Sequence, residues 1–464
     1  DHTGEQDGHA PVFLFQPGGD LVHRVDVVVF QAATQRVGQQ LFGEAAIDVG
    51  RAIAPEDAFQ VAHVGEFFLR HQLAGGVDHH ESTLRSRSRG PFDGGPDMIQ
   101  LLDPEGQRVL HGGAQEYAHH IDALTDEDLR GFYRDLVLIR RFDLEATALQ
   151  RQGELGLWVS LLGQEASQIG CGRALRPQDH AFPGYREHGI AWCRGLDPMR
   201  LIAMYRGVDR CAWDPKEFGF HTYTIVIGNQ VLLGTGYAMG VQRDGDVGTG
   251  DPDRDTAVIA FMGDGATAQG DVNEGFVFAG VNDSPIVFFC QNNQWAISEP
   301  NERQMRSPIY KRADGFGFPG VRVDGNDVLA TYAVTKEMLD RARSGQGPSL
   351  IEAYTYRMAA HTTSDDPTKY RFSAEVEMWK LRDPIARFKT WLGHEGIADH
   401  DFFVAVDAEA DELASNVREA TVTMGDPEVA DIFDNVYVEP HRQVEDDRAV
   451  QAAYATSFDD EGVA

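Results

Sequence analysis

The chain has 464 residues, 42% hydrophobic and 10% aromatic, which supports a sizeable core and excludes a disordered or fibrous polypeptide. Lys+Arg 41 against Asp+Glu 73 gives a net charge of -32, which argues against non-specific binding to nucleic acid or an anionic membrane, both of which depend on a cationic surface. No run of eighteen apolar residues is present to span a bilayer, and the length predicts two or three folding units.

Cys171, Cys193, Cys211 and Cys290 contain no Cys-x-x-Cys pair and are too few for a disulfide framework, so a reducing cytoplasm is expected. Residues 1–97 differ from the rest: they lack Lys, Tyr, Trp and Cys, yet carry 7 of the 17 His. Val25–Phe30 reads as a short strand, Ser86–Arg89 as a solvated linker, and His79-His80 lacks further ligands at a metal-binding spacing. The first Met is Met98, so 1–97 is expected to be an extension outside the functional fold, with the fold starting at or near Met98. That extension holds 7 Arg and 14 Asp+Glu, a net of -7, which leaves -25 on the remaining 367 residues.

From Met98 the patterns become orderly. Thr125 and Asp128 form a capping-box pattern, with Leu124 and Leu129 placed as a hydrophobic staple. Leu129, Phe132, Leu136, Ile139 and Phe142 then repeat at helical spacing, predicting a long amphipathic helix in an N-terminal arm. Thr224–Gly228 (TIVIG) reads as a strand. Thr256–Met262 and Pro285–Cys290 are apolar runs without polar alternation, as in parallel strands covered on both faces, and Gly270–Val281 between them reads as a helix. Gly320–Val323 and Ser349–Tyr356 supply two more strands around a helix over Asp327–Arg343. This alternation predicts an α/β fold, a doubly wound parallel sheet with flanking helices, over 98–371. Residues 372–464 read as a helical segment with an acidic tail.

In such a sheet, ligands lie outside the carboxyl ends of the strands. Gly263-Asp264-Gly265 closes one buried run, and Asn292-Asn293 closes the next, with 29 positions from Asp264 to Asn293. Neighbouring strands are about 4.8 Å apart, so a carboxylate and an amide oxygen there can share a hard cation such as Mg²⁺. His361 follows the last strand in a loop of hydroxyls and acids, and so falls at the same edge.

This combination resembles the thiamine diphosphate fingerprint. GDGATAQGDVNEGFVFAG, PIVFFCQNNQWAIS, YREHG and YRMAAHTTSDDPTKYR further resemble the alpha subunit of the decarboxylating, thiamine-dependent component of 2-oxo acid dehydrogenase complexes. The likeness runs from roughly 122 to 388, more loosely to about 440, and does not touch 1–97. It implies a thiamine diphosphate-binding fold with Mg²⁺ held by the side chains of Asp264 and Asn293 and the carbonyl of Trp295, where the family usually has Tyr. Gly265 and Ala266 would meet the diphosphate through backbone N–H groups, and Tyr185, Arg186 and His361 through side chains. Ile225 and Ile227 would receive the aminopyrimidine ring. His361 would also be catalytic, a proton donor near the lipoyl group, with an ionisation near neutrality. Arg357 would anchor its loop through Asp365 or Asp366, and Thr362 reads as a plain loop hydroxyl. Gln291 stands where many branched-chain relatives have Arg, so one phosphate cation is expected to be missing.

The resemblance implies oxidative decarboxylation of a branched-chain 2-oxo acid, with pyruvate as the alternative substrate. It also implies an α₂β₂ heterotetramer with a beta subunit, which provides the activating glutamate, and acyl transfer to the lipoyl domain of an acyltransferase. A self-sufficient decarboxylase or transketolase type would need a second doubly wound unit in this chain. A non-catalytic scaffold would lack Asp264, Asn293 or His361, and all three are present.

Overall fold

The apolar runs become neighbouring strands in the computed structural model of the protein, which describes residues 97–209, 213–425, 427, 429–434 and 436–457. The expectations for Val25–Phe30, His79-His80, Ser86–Arg89 and, but for Asp97, the whole extension 1–97 lie outside the described residues. The main sheet contains β1 (Met98–Ile99), β2 (His180–Phe182), β3 (Val258–Gly263), β4 (Ile286–Asn292), β7 (Gly320–Asp324) and β8 (Ser349–Tyr354). A separate hairpin pairs β5 (Trp295–Ala296) with β6 (Glu299–Pro300). The six strands run parallel in the order β1-β7-β8-β4-β3-β2, so the sheet is doubly wound.

Successive side chains of a strand point to opposite faces. Ile259, Phe261, Val287, Phe289 and Ile351 enter one core, whereas Val258, Ala260, Met262, Ile286, Phe288 and Leu350 enter the other. Both faces are dry, which is why these strands lack polar alternation. The first face is covered by α1 (Asp126–Arg151), α2 (Glu165–Ala174) and α5 (Val328–Arg343), and the second by α3 (Asn229–Asp244) and α4 (Gly270–Val281). Thr125 caps α1 in a complete capping box with Asp128. Asp327 caps α5 and also accepts the Leu101 and Leu102 N–H groups, tying the start of the fold to the sheet.

Helices α6 (Pro384–His394) and α7 (His400–Thr423) follow β8. Val406, Ala410, Ala414 and Val417 bury one face of α7, and Arg134–Glu409 and Arg141–Asp411 ion pairs join it to α1. The predicted strand at Thr224–Gly228 is a loop. Its Thr224 N–H bonds the Gly184 carbonyl, no described strand pairs with it, and Ile225 and Val226 face solvent at 73% and 66% exposure. Without a ladder, β-branched composition alone does not make a strand. No helix among the described residues is long and apolar enough to cross a membrane.

Candidate active site

Strands β3, β4 and β8 are adjacent, and their carboxyl ends bring the predicted residues together. Gly263 pairs with Gln291 and Asn292 with Tyr354, so Asp264 and Asn293 leave the sheet side by side. Arg357, just beyond β8, donates its backbone N–H to the Asn293 carbonyl. Gly265 is required by close approach: a Cβ there would lie 2.7 Å from the Ala296 Cβ. Ala266 is buried in the 3₁₀ turn that follows Asp264.

Asp264 is buried, and its Oδ2 accepts from Asn301 Nδ2 (2.9 Å) and Gln304 Nε2 (2.8 Å), both neutral amides. Burial pushes its carboxyl up to about 6, against those amides and Arg357. Asn293 Oδ1 accepts the Trp295 N–H, and its Nδ2 donates to Gln164 Oε1 (3.1 Å). Gln164 Nε2 and Gln304 Oε1 are both buried without a partner. A buried carboxylate hydrogen-bonded by neutral amides, beside the unused acceptor Gln304 Oε1, fits a bound divalent cation. The Trp295 carbonyl is directed to Arg357, which donates to it from Nη1 at 2.9 Å.

Beside this lies a cationic pair. Arg186 donates to the Ser160 and His361 carbonyls, and Arg357 to the Trp295 and Ile297 carbonyls. One guanidinium nitrogen of each lies 3.4 Å from His361 Nδ1. Neither arginine has a carboxylate ion-pair partner among the described residues, and Arg357 Nε is buried with no partner. Burial and the neighbouring Arg186 push Arg357 down to about 10. Two neighbouring guanidinium groups, neither in a direct ion pair, fit a diphosphate. Tyr185 packs edge-on to His361 and under Arg186.

Two expectations need correction. His361 does not titrate near neutrality in this structure: burial, then Arg186 and Arg357, push it down to about 3. Arg357 does not bond Asp365 directly. It donates to the Tyr370 hydroxyl, which donates to Asp365, and Asp365 accepts the His361 N–H. Gln291, which brings no cation to the site, turns its side chain inward to Glu187 (2.7 Å). Ile225 and Ile227 sit on the exposed loop before α3, which is joined to the Tyr185 turn through the Thr224 N–H bond to the Gly184 carbonyl. Gln164, Asn301 and Gln304 carried no sequence signal, since each acts through a partner on a different element, and Glu187 lay in the YREHG motif without an assigned role. A separate group, His119, His120 and Glu337, lies within metal-ligating reach, and the 2.8 Å His120–Glu337 hydrogen bond accounts for it without an ion.

The profile of the dehydrogenase E1 component family matches residues 133–426. The chain is 43% identical over 344 residues to the 3-methyl-2-oxobutanoate dehydrogenase subunit alpha of Mycobacterium tuberculosis, covering 74% of this chain and 90% of that protein. It is 37% identical over 327 residues to the pyruvate dehydrogenase E1 component subunit alpha of Acholeplasma laidlawii (70% and 92% covered). The Staphylococcus aureus pyruvate dehydrogenase E1 component subunit alpha matches at 36% over 337 residues (70% and 87%). With the fingerprint residues gathered at one sheet edge and these matches spanning most of the fold, the chain belongs to the dehydrogenase E1 component family, as an alpha subunit of the decarboxylating, thiamine-dependent 2-oxo acid dehydrogenases.

Proposed function

We propose that this alpha subunit serves a branched-chain 2-oxo acid dehydrogenase, acting on 3-methyl-2-oxobutanoate-like substrates and passing the acyl group to a lipoyl domain. The observation that carries this reading is a buried carboxylate bonded by neutral amides beside two arginines without direct ion pairs, in a chain 43% identical to a 3-methyl-2-oxobutanoate dehydrogenase subunit alpha. Pyruvate is the second reading, favoured by the relatives at 37% and 36% identity.

Asp264, Asn293 and the Trp295 carbonyl would hold Mg²⁺. That carbonyl has a second lone pair beyond the one Arg357 uses. Arg186, His361 and Tyr185, with the Gly265 and Ala266 N–H groups, would hold the diphosphate, and Ile225 and Ile227 the aminopyrimidine. When bound, thiamine diphosphate supplies the nucleophilic carbon and the electron sink for loss of CO₂. The residues of this chain bind and orient. His361, neutral while the arginines stand uncompensated, would gain basicity as an anion neutralises them, and could then hold the proton given up near the lipoyl group.

The beta subunit expected of this family would complete the site in an α₂β₂ assembly. Leu233 and Tyr237 on α3 and Val277, Phe278 and Val281 on α4 are exposed on neighbouring helices and suit such a partner. The cofactor unit would span 98–371, with 372–464 as a helical segment. Cys171, Cys193 and Cys290 are unpaired, which suits a reducing cytoplasm. The test is kcat/KM of the reconstituted subunit pair on 3-methyl-2-oxobutanoate and on pyruvate. The branched substrate is expected to lead, and a preference for pyruvate would establish the second reading.

A further inference from the structure

We propose that Glu187 is a positioning residue of the cofactor site: with Gln291 and Gln168 it forms a directional buried hydrogen-bond chain that holds the turn carrying Tyr185 and Arg186. The inference rests on the reading of Arg186 as a diphosphate ligand.

The direction of the chain is set by the backbone. The Gly189 N–H can only donate, and it meets Gln168 Oε1 at 2.8 Å. The Arg186 carbonyl can only accept, and it receives Gln168 Nε2 at 3.0 Å. Gln168 therefore has no freedom to flip, and its second N–H points at Gln291 Oε1 (3.1 Å). With its oxygen engaged, Gln291 must donate at its other end, and there it meets Glu187 Oε1 at 2.7 Å. The second carboxylate oxygen of Glu187 receives the Arg186 N–H at 3.1 Å. The chain thus ends on a group that must accept at both oxygens. A carboxylate does so, whereas an amide offers one acceptor and one donor.

Glu187, Gln168 and Gln291 are 4%, 0% and 2% exposed, so water cannot replace a lost partner. The consequence falls on Arg186. Its N–H is held by Glu187 and its C=O by Gln168, so both peptide groups flanking its Cα are clamped. Its guanidinium then reaches Ser160 and His361 from a fixed base. Gly189 belongs to the same device: a Cβ there would sit 2.8 Å from the Gln168 Cβ and force the chain apart. Gln291 is therefore the link between strand β4 and the Arg186 turn.

The experiment is calorimetric titration of thiamine diphosphate, with Mg²⁺ present, into the assembled alpha–beta enzyme. Wild type must bind and Arg186→Ala must bind more weakly. Failure of that pair sinks the reading of Arg186 itself, separately from the chain behind it. Given that pair, Glu187→Gln is expected to weaken cofactor affinity about tenfold or more, equivalent to about 1.4 kcal/mol, with kcat at saturating cofactor largely retained. In the Arg186→Ala background the same substitution should add little, because its effect travels through Arg186. Unchanged affinity for Glu187→Gln, or an equal loss in both backgrounds, overturns the proposal. If Glu187→Gln does not assemble, Gln291→Met interrupts the chain one link earlier, with the same expected non-additivity and the same overturning result.

Discussion

His361 shows how far the surroundings of one side chain can move it from its ordinary chemistry. An imidazole beside two guanidinium groups in a half-buried loop is held down to about 3 from its usual 6.5, by burial first and then by Arg186 and Arg357. The folded chain therefore binds fewer protons at this site than the unfolded chain. The associated stability is complete above pH 6.5 and is lost as pH falls from there toward 3. In an NMR titration of the cofactor-free chain, the His361 ring is expected to stay neutral through pH 5. Saturation with inorganic pyrophosphate should move its midpoint upward, because an anion between the arginines favours imidazolium. A midpoint near 6.5 without any anion would show that the two arginines do not act on it. The position of His361 at the sheet edge was legible in the sequence, because the loop follows a recognisable strand. Its ionisation was not, because Arg186 is 175 positions away in the chain and converges on it only through the fold.

At the level of elements, the buried ion pair of Asp324 and Arg387 joins the carboxyl end of β7 to α6 at 2.8 Å, with each side chain 1% exposed. Burial alone would raise the Asp324 carboxyl, but the charge and hydrogen bond of Arg387 outweigh it and hold it below the ordinary range. Removing one partner of a buried pair leaves an uncompensated charge, so Arg387→Met is expected to destabilise the chain by about 3–5 kcal/mol at pH 7. A depressed carboxyl contributes its stability above its unfolded pKa and loses it as pH falls through the folded one. The deficit of Arg387→Met should therefore shrink in acid, as Asp324 becomes protonated. Urea unfolding at pH 7 and at pH 4 checks both, and an equal deficit at the two values would refute the charge argument. The strands and helices themselves were read closely from apolar runs and capping patterns: Gly270–Val281 is helical over its predicted bounds, and β4 extends only two residues past its predicted end. Thr224–Gly228 misled because β-branched residues also populate exposed loops that pair with no strand. The two short strands β1 and β2 escaped notice because two or three residues carry no period.

Across the whole molecule, the question is what a chain with one cofactor-binding sheet can do alone. The described residues contain one six-stranded sheet and one two-stranded hairpin, so among them there is no second doubly wound unit to take the other half of the cofactor. The loop before α3 and the helices α3 and α4 leave apolar side chains in water. Ile225 and Val226 on the loop, Leu233 on α3, and Phe278 and Val281 on α4 are all more than half exposed. Apolar area of this kind is favourable to bury, at about 25 cal/mol per Å², and suits the partner that an alpha subunit implies. The net charge of -32 favours a partner whose facing residues are neutral or basic. The purified chain is therefore expected to show no 2-oxo acid dehydrogenase turnover, and co-expression with its beta subunit to restore it. Phe278→Asp should prevent formation of the mixed assembly, judged by light scattering after size exclusion, while leaving the thermal midpoint of the chain alone nearly unchanged. An exposed position costs the isolated fold little, whereas a carboxylate buried in an apolar interface must be desolvated without a partner. Robust turnover by the isolated chain would overturn the two-subunit reading. Normal assembly of Phe278→Asp would place the partner on another face.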